Sequence, residues 1–143
     1  MTVKIKRLHP DAKIPKYAHG PSEDAGVDLY SVERAEIAQG SVRAVATGLS
    51  IELPPGFEAQ IRPRSGMAFK HAVTVANAPG TIDPAYRGEI KVILINLGQE
   101  PYLIEPGDRI AQMVVARYEM VEWEESDLSD TVRGAGGFGS SGR

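Results

Sequence analysis

Four short segments of this chain combine residue types that do chemistry only in company. Gly80-Thr81-Ile82-Asp83-Pro84-Ala85-Tyr86-Arg87-Gly88-Glu89 sets a carboxylate three residues before a tyrosine. Asp83 can serve as a general base for water. Tyr86 can form a flat wall against a sugar ring, which leaves a 2′-hydroxyl unpaired or clashing and favours deoxyribose. Pro63-Arg64-Ser65-Gly66 precedes a possible helical turn, where free N–H groups, an arginine fork and a hydroxyl suit a phosphate. Ala25-Gly26-Val27-Asp28-Leu29 puts Asp28 on the strand face opposite Val27 and Leu29, where it could anchor Mg²⁺ directly or through water. Pro106-Gly107-Asp108-Arg109-Ile110-Ala111-Gln112 opens a strand with charged and amide groups beside a tight turn. Each has an ordinary alternative: a hairpin turn, a helix cap, a strand aspartate facing water, a turn into a core strand. Gln112 is the residue that the last of these does not explain.

A fifth segment, Arg133-Gly134-Ala135-Gly136-Gly137-Phe138-Gly139-Ser140-Ser141-Gly142-Arg143, cannot bury enough apolar area to offset backbone ordering. A flexible glycine-serine terminus is its commonest meaning. It also carries an aromatic, unobstructed backbone donors and an arginine, the parts of a lid that orders over a nucleotide.

The elements that must position these residues are strands. Val3 and Ile5 alternate with Lys4 and Lys6, and strand-like runs recur at 27–30, 42–46, 49–53, 57–61, 73–76, 90–96 and 110–118. Pro54-Pro55-Gly56, Ala78-Pro79-Gly80, Asp83-Pro84 and Pro106-Gly107-Asp108 mark turns between them. Frequent glycine and proline leave one plausible helix, 65–70, with Ser65 as its cap. The pattern predicts an all-β sandwich, jelly roll or small barrel, with the 80–89 segment as a hairpin between the runs at 73–76 and 90–96. Glu119, Glu122, Glu124, Glu125, Asp127 and Asp130 make an acidic stretch that separates core from tail. The expected organisation is one core over 1–125 and an acidic linker with a flexible arm over 126–143.

Composition narrows the chemistry. With 143 residues, 42% hydrophobic and 24% charged, the chain suits one soluble domain. It shows no apolar run of membrane-spanning length and no leader pattern, so no membrane partner is expected. The absence of cysteine excludes thiol chemistry and fits a cytoplasmic address. A net charge of −3 argues against broad nucleic-acid binding. No P-loop or GxSxG elbow occurs, and the glycines at 134, 136 and 139 match GxGxxG without the strand and helix that a dinucleotide fold needs. His9, His19 and His71 lack metal-ligand spacing.

Taken in order, AGVDL, PRSG, GTIDPAYRGE, GDRIAQ and RGAGGFGSSG resemble the five motifs of the trimeric dUTPases, deoxyuridine 5′-triphosphate nucleotidohydrolases. The match runs from Ala25 to Gly142. It departs from frequent family choices only at Val27, Ala85 and Ser141. The resemblance implies a jelly-roll-like (β-clip) subunit with one short helix, a homotrimer whose active sites are shared between subunits, and Mg²⁺-dependent hydrolysis of dUTP to dUMP and pyrophosphate. Such a reaction limits uracil incorporation into DNA and supplies dUMP for thymidylate synthesis. It further implies Asp83 as the catalytic base and Arg64, Ser65, Gly66 and Gln112 on the phosphates. Asn77 and the backbone of Gly80, Thr81 and Ile82 would read uracil, and Tyr86 would face the deoxyribose. From the arm, Phe138 would stack on the base while Arg133, Gly139 and Ser140 reach the phosphate end. Asp28 would meet the metal through water. The dCTP deaminases share part of the pattern but place a catalytic glutamate where this chain has Ile93.

Overall fold

The computed structural model describes residues 1–142. Eleven strands and one helix are seen among them: β1 (Lys4–Arg7), β2 (Val27–Tyr30), β3 (Ala35–Ile37), β4 (Val42–Ala46), β5 (Leu49–Glu52), β6 (Phe57–Arg62), α1 (Ser65–His71), β7 (Val73–Val75), β8 (Gly80–Ile82), β9 (Lys91–Asn96), β10 (Tyr102–Ile104) and β11 (Arg109–Arg117). All the pairings are antiparallel. Four sheets result, ordered β2-β11-β6-β8, β4-β9-β7, β1-β5 and β10-β3. This is the nearly all-β, one-helix architecture that the residue pattern predicts, and it fits a jelly roll.

Alternation explains which faces turn inward. Along β9, Val92, Leu94 and Asn96 are buried while Lys91 and Ile93 are exposed. β3 buries Ala35 and Ile37 around an exposed Glu36, and β8 buries Gly80 and Ile82 around an exposed Thr81. The inward residues form one core that includes Leu29, Val45, Leu49, Ile61, Ile90, Leu94, Ile104 and Ile110. At its edge, fully buried Asn96 donates through Nδ2 to the carbonyls of Ile37 and Glu100, at 2.9 and 2.8 Å, and accepts from the Gly98 amide at 2.9 Å. One side chain thus ties the end of β9 to β3 and to the turn before β10.

Three features differ from the sequence reading. The 80–89 segment is not one continuous hairpin loop. β7 and β9 do pair, with Val73 opposite Asn96, but β8 leaves them and pairs with β6 in the other sheet, Ala59 opposite Ile82. Three residues are too few to show a period, which is also why β3 and β10 were not expected. Ser65 is not the helix cap: Arg64 holds that position with extended φ/ψ, no side chain caps it, and Ser65 is the first helical residue. At the other end, Ala72 takes φ 52° and closes the helix through bonds from its amide.

Among the described residues, the last backbone bond from the C-terminal stretch to the body is Tyr118 N to the Gly56 carbonyl, at 3.1 Å. Beyond it, the described residues have no helix or strand, and Met120, Val121, Trp123, Leu128, Val132 and Phe138 all face solvent. Arg143, the final residue of the expected arm, lies outside the described residues.

Replacing Asn96 by alanine leaves two carbonyls and one amide without their partner. The expected loss is about 2–4 kcal/mol of unfolding free energy, measured by denaturant titration, whereas an exposed neighbour such as Leu97→Ala should change it little.

Candidate active site

The long strand β11 pairs with β2 on one side and β6 on the other, and its register sets Gln112 opposite both Asp28 and Arg62. Between Arg109 and Ala111 the β2 register shifts by a bulge, a device that re-aims a side chain at the end of a pairing. There Arg109 Nη1 lies 3.4 Å from Asp28 Oδ2, and Arg64 Nε lies 3.2 Å from Asp28 Oδ1. Arg64 Nη1 also donates to the Arg109 carbonyl at 3.4 Å. Two guanidinium groups are therefore gathered on one carboxylate. Gln112 donates through Nε2 to the Pro63 carbonyl at 3.0 Å, which fixes the turn that delivers Arg64.

Two glycines in this cluster differ in why they are glycine. A Cβ on Gly26 would stand 2.7 Å from Gln112 Oε1, so the strand and the amide approach only because the side chain is absent. A Cβ on Gly66 would meet nothing within 4 Å. The fold does not need Gly66; an incoming group that must approach the backbone closely would. The amides of Ser65, Gly66 and Met67 precede the first intrahelical bond, from Ala68 N to the Arg64 carbonyl.

The turn leading into Gly26 is fastened by Asp24. Its Oδ2 accepts from the His19 amide at 2.6 Å, and its Oδ1 lies 3.0 Å from His19 Nδ1. The His19 backbone bond, followed by the imidazole, holds the Asp24 carboxyl below its ordinary 3.8. A lowered folded-state value stabilises above the unfolded one, so this clasp is present at neutral pH and lost only as acid carries the pH below 3.8.

A second group of residues lines a cavity of about 580 Å³: Asn77, Gly80, Thr81, Ile82, Asp83 and Tyr86, with Ala44, Ile61, Glu89, Lys91 and Ile93. Here β8 presents its backbone, and the turn after it presents Asp83 and Tyr86. Tyr86 N donates to the Asp83 carbonyl at 3.1 Å, which coils the two side chains around one turn. Gly80 is buried, and a Cβ on it would press on Asn77 Nδ2 at 3.2 Å and Ile61 Cβ at 3.3 Å. Ile93 lies in this lining, so the position that would carry a deaminase glutamate is aliphatic.

The arm forms a third group. Arg133 Nε donates to the Gly136 carbonyl at 2.7 Å, and turns close from Gly134 to Thr131, Ser140 to Gly137 and Gly142 to Gly139. Phe138 and Gly139 both have positive φ, 51° and 86°, and Phe138 is fully exposed. Among the described residues, no hydrogen bond or ion pair joins the arm to either other group, or the Asp28 cluster to the Asp83 cavity. The residues expected at one site thus fall into three sets. Sequence reasoning did not assign roles to Arg109, Glu89 or Lys91. Arg109 lies within the charged opening of β11, and Glu89 closes the Asp83 segment, but a contact across 81 residues leaves no trace in spacing.

Comparison with known proteins agrees with the geometry. A sequence model of the dUTPase family matches residues 11–142. The chain is 63% identical to a deoxyuridine 5′-triphosphate nucleotidohydrolase of Solibacter usitatus, over 100% of this chain and 97% of that protein. It is 56% identical to the protein of that name in Rickettsia massiliae, over 98% and 96%. Among solved structures, a Staphylococcus bacteriophage 80alpha dUTPase variant with dUpNHpp superposes with TM-score 0.90 at 25% identity, covering 99% of both chains. A dUTPase variant from phage phi11 of S. aureus, described with a structural Mg(II) ion, has TM-score 0.82 at 21% identity, over 90% and 98%. With its motifs placed on this scaffold and a match along nearly its whole length, the chain belongs to the dUTPase family.

Proposed function

We propose that this enzyme, whose reaction is the hydrolysis of dUTP, works at a site that copies of the chain build together as a homotrimer, with Asp83 as the base. The observation that carries this reading is the separation of parts. The Asp83 cavity holds a base and a sugar wall but no arginine, the Asp28 cluster holds two arginines but no free carboxylate, and the described residues of the arm make no hydrogen bond or ion pair with either. Each set is chemically incomplete within one chain, and an exposed aromatic on an arm without a partner of its own fits a neighbour's ligand.

In this reading the cavity takes the nucleoside. Asn77 and the backbone of Gly80, Thr81 and Ile82 meet the uracil edge, and Tyr86 lies against the deoxyribose. Arg64, Ser65, Gly66 and Gln112 hold the phosphates, with Asp28 keeping Arg64 aligned through its 3.2 Å contact. Asp83 accepts a proton from water as the water oxygen bonds to the α-phosphorus, and the bond from that phosphorus to the bridging oxygen breaks. Pyrophosphate leaves and dUMP remains. Before that attack, the arm of residues 126–143, set off from a core over 1–125, brings Phe138 onto the base. Arg133, Gly139 and Ser140 close on the phosphate end, which excludes bulk water.

The described residues contain no cluster of three His, Cys, Asp or Glu side chains able to cage a metal. Both oxygens of Asp28 are taken by arginines. With its oxygens already paired, Asp28 would hold Mg²⁺ through water and not directly. When bound, the ion supplies charge neutralisation for the triphosphate and the leaving group. No helix among the described residues is long and apolar enough to cross a membrane. A cytoplasmic enzyme without nucleic-acid or membrane partners remains the reading from composition.

Asp83→Asn should lower kcat by about 10²–10⁴ with nucleotide binding largely kept, as read by product assay and titration with a non-hydrolysable dUTP analogue; wild-type turnover would remove Asp83 from its role. Truncation after Asp130 should preserve the trimer by light scattering yet cut turnover about a hundredfold. An undiminished rate would make the arm a linker. Chelating Mg²⁺ should slow dUTP hydrolysis by about tenfold or more, reversibly on adding the ion back; an unchanged rate would argue for a metal-free mechanism.

A further inference from the structure

Steric rejection of a 2′-hydroxyl is only as strong as the wall is stiff. Tyr86 is 43% exposed, and an exposed ring free to change rotamer would yield to one extra oxygen. What holds it here is the next acidic residue. Tyr86 Oη donates to the Glu89 carbonyl at 2.9 Å, so the ring folds back over Gly88, where any Cβ would collide with the phenol. The Glu89 side chain is in turn pinned: its Oε1 accepts from the Gly48 amide at 2.9 Å, and its Oε2 lies 3.8 Å from Lys91 Nζ.

Gly48 is a rigid place from which to pin. It has φ 68°, and a Cβ there would stand 2.8 Å from His9 Cβ and 3.0 Å from Ala12 Cβ. The neighbouring strand adds a second fastening, since Ser50 Oγ donates to the Arg87 carbonyl at 2.7 Å. Arg87 Nη1 turns back to the Pro84 carbonyl at 2.6 Å, closing the loop on itself. The turn that carries Tyr86 is therefore braced against β5 and not merely suspended between β8 and β9.

We propose that Glu89 is a positioning residue for sugar specificity: clamped by the Gly48 amide, it holds Tyr86 rigid, and so sets how strongly the enzyme refuses ribonucleotides. Glu89 lines the same cavity as Asp83 and Tyr86, but it acts through the tyrosine and not on the substrate's reacting atoms. This inference rests on the assignment of Tyr86 to the sugar.

The test compares kcat/KM for dUTP and UTP in the purified full chain and its variants. Glu89→Ala should narrow the dUTP/UTP ratio by about fivefold or more, the weight of one lost hydrogen bond, mainly by improving UTP. Glu89→Gln keeps an amide oxygen for the Gly48 N–H and should restore the ratio. A ratio unchanged in Glu89→Ala, or lowered equally in Glu89→Gln, overturns the proposal. If Glu89→Ala does not fold, as thermal melting would show, Tyr86→Phe decides: it removes the Oη anchor alone, and an undiminished ratio overturns the proposal. Tyr86→Ala separates the two levels. If it too keeps the ratio, the sugar assignment falls and this inference with it; if it relaxes the ratio while Glu89→Ala does not, only the positioning role falls.

Discussion

The register of β11 between β2 and β6 is the constraint on which the arrangement rests. Gln112 and Met113 pair on both flanks, so the same strand that seals the core with Ile110, Ala111 and Met113 also presents Gln112 on the opposite face. A slip of one residue would drive Gln112 inward and bring a core side chain out beside Asp28, because side chains alternate with period two. The bulge at Ile110 adds the one irregularity that the site needs: it lets Arg109 reach Asp28 while the strand beyond keeps its pairing. Through β6 the same sheet also carries β8, and hence the floor of the Asp83 cavity.

Charge is handled locally throughout. The chain is net negative, yet it gathers Arg64 and Arg109 around one carboxylate and leaves Gly66 open to close approach. A side chain that holds two arginines in place before substrate arrives removes part of the ordering cost from the binding step. The Asp24–His19 clasp secures the turn just upstream by the same logic, using backbone and side chain together. In the Asp83 loop the bracing comes instead from neutral backbone groups, with the Gly48 amide and the Glu89 carbonyl as its fixed points.

Much of the strand content was legible because runs of four or more residues rich in apolar and β-branched types, bounded by turn signals, mark strands. The expected run at 27–30 matches β2 and that at 42–46 matches β4, since each has turn residues at its borders. β3, β8 and β10 were not legible, being three residues long and held by partners distant in the chain. The helix does start at residue 65 as expected, but its cap lies one position earlier. Ser65 has the type of a cap, but the chain enters the helix from an extended Arg64, so the hydroxyl stays free of capping.

The amino-acid sequence by itself determined the inventory: a carboxylate near a tyrosine, an arginine and a glycine at a helix start, an amide in a strand, and a glycine-rich arm with one aromatic. These are properties of residue type and near spacing, and composition cannot conceal them. Only the tertiary structure decided that Asp28 is bound by two arginines, that Asp83 faces a different cavity, and that Glu89 holds Tyr86 from behind. Those facts depend on strand pairing across tens of residues, where the hydrogen-bond register, and not any local propensity, chooses which side chains meet.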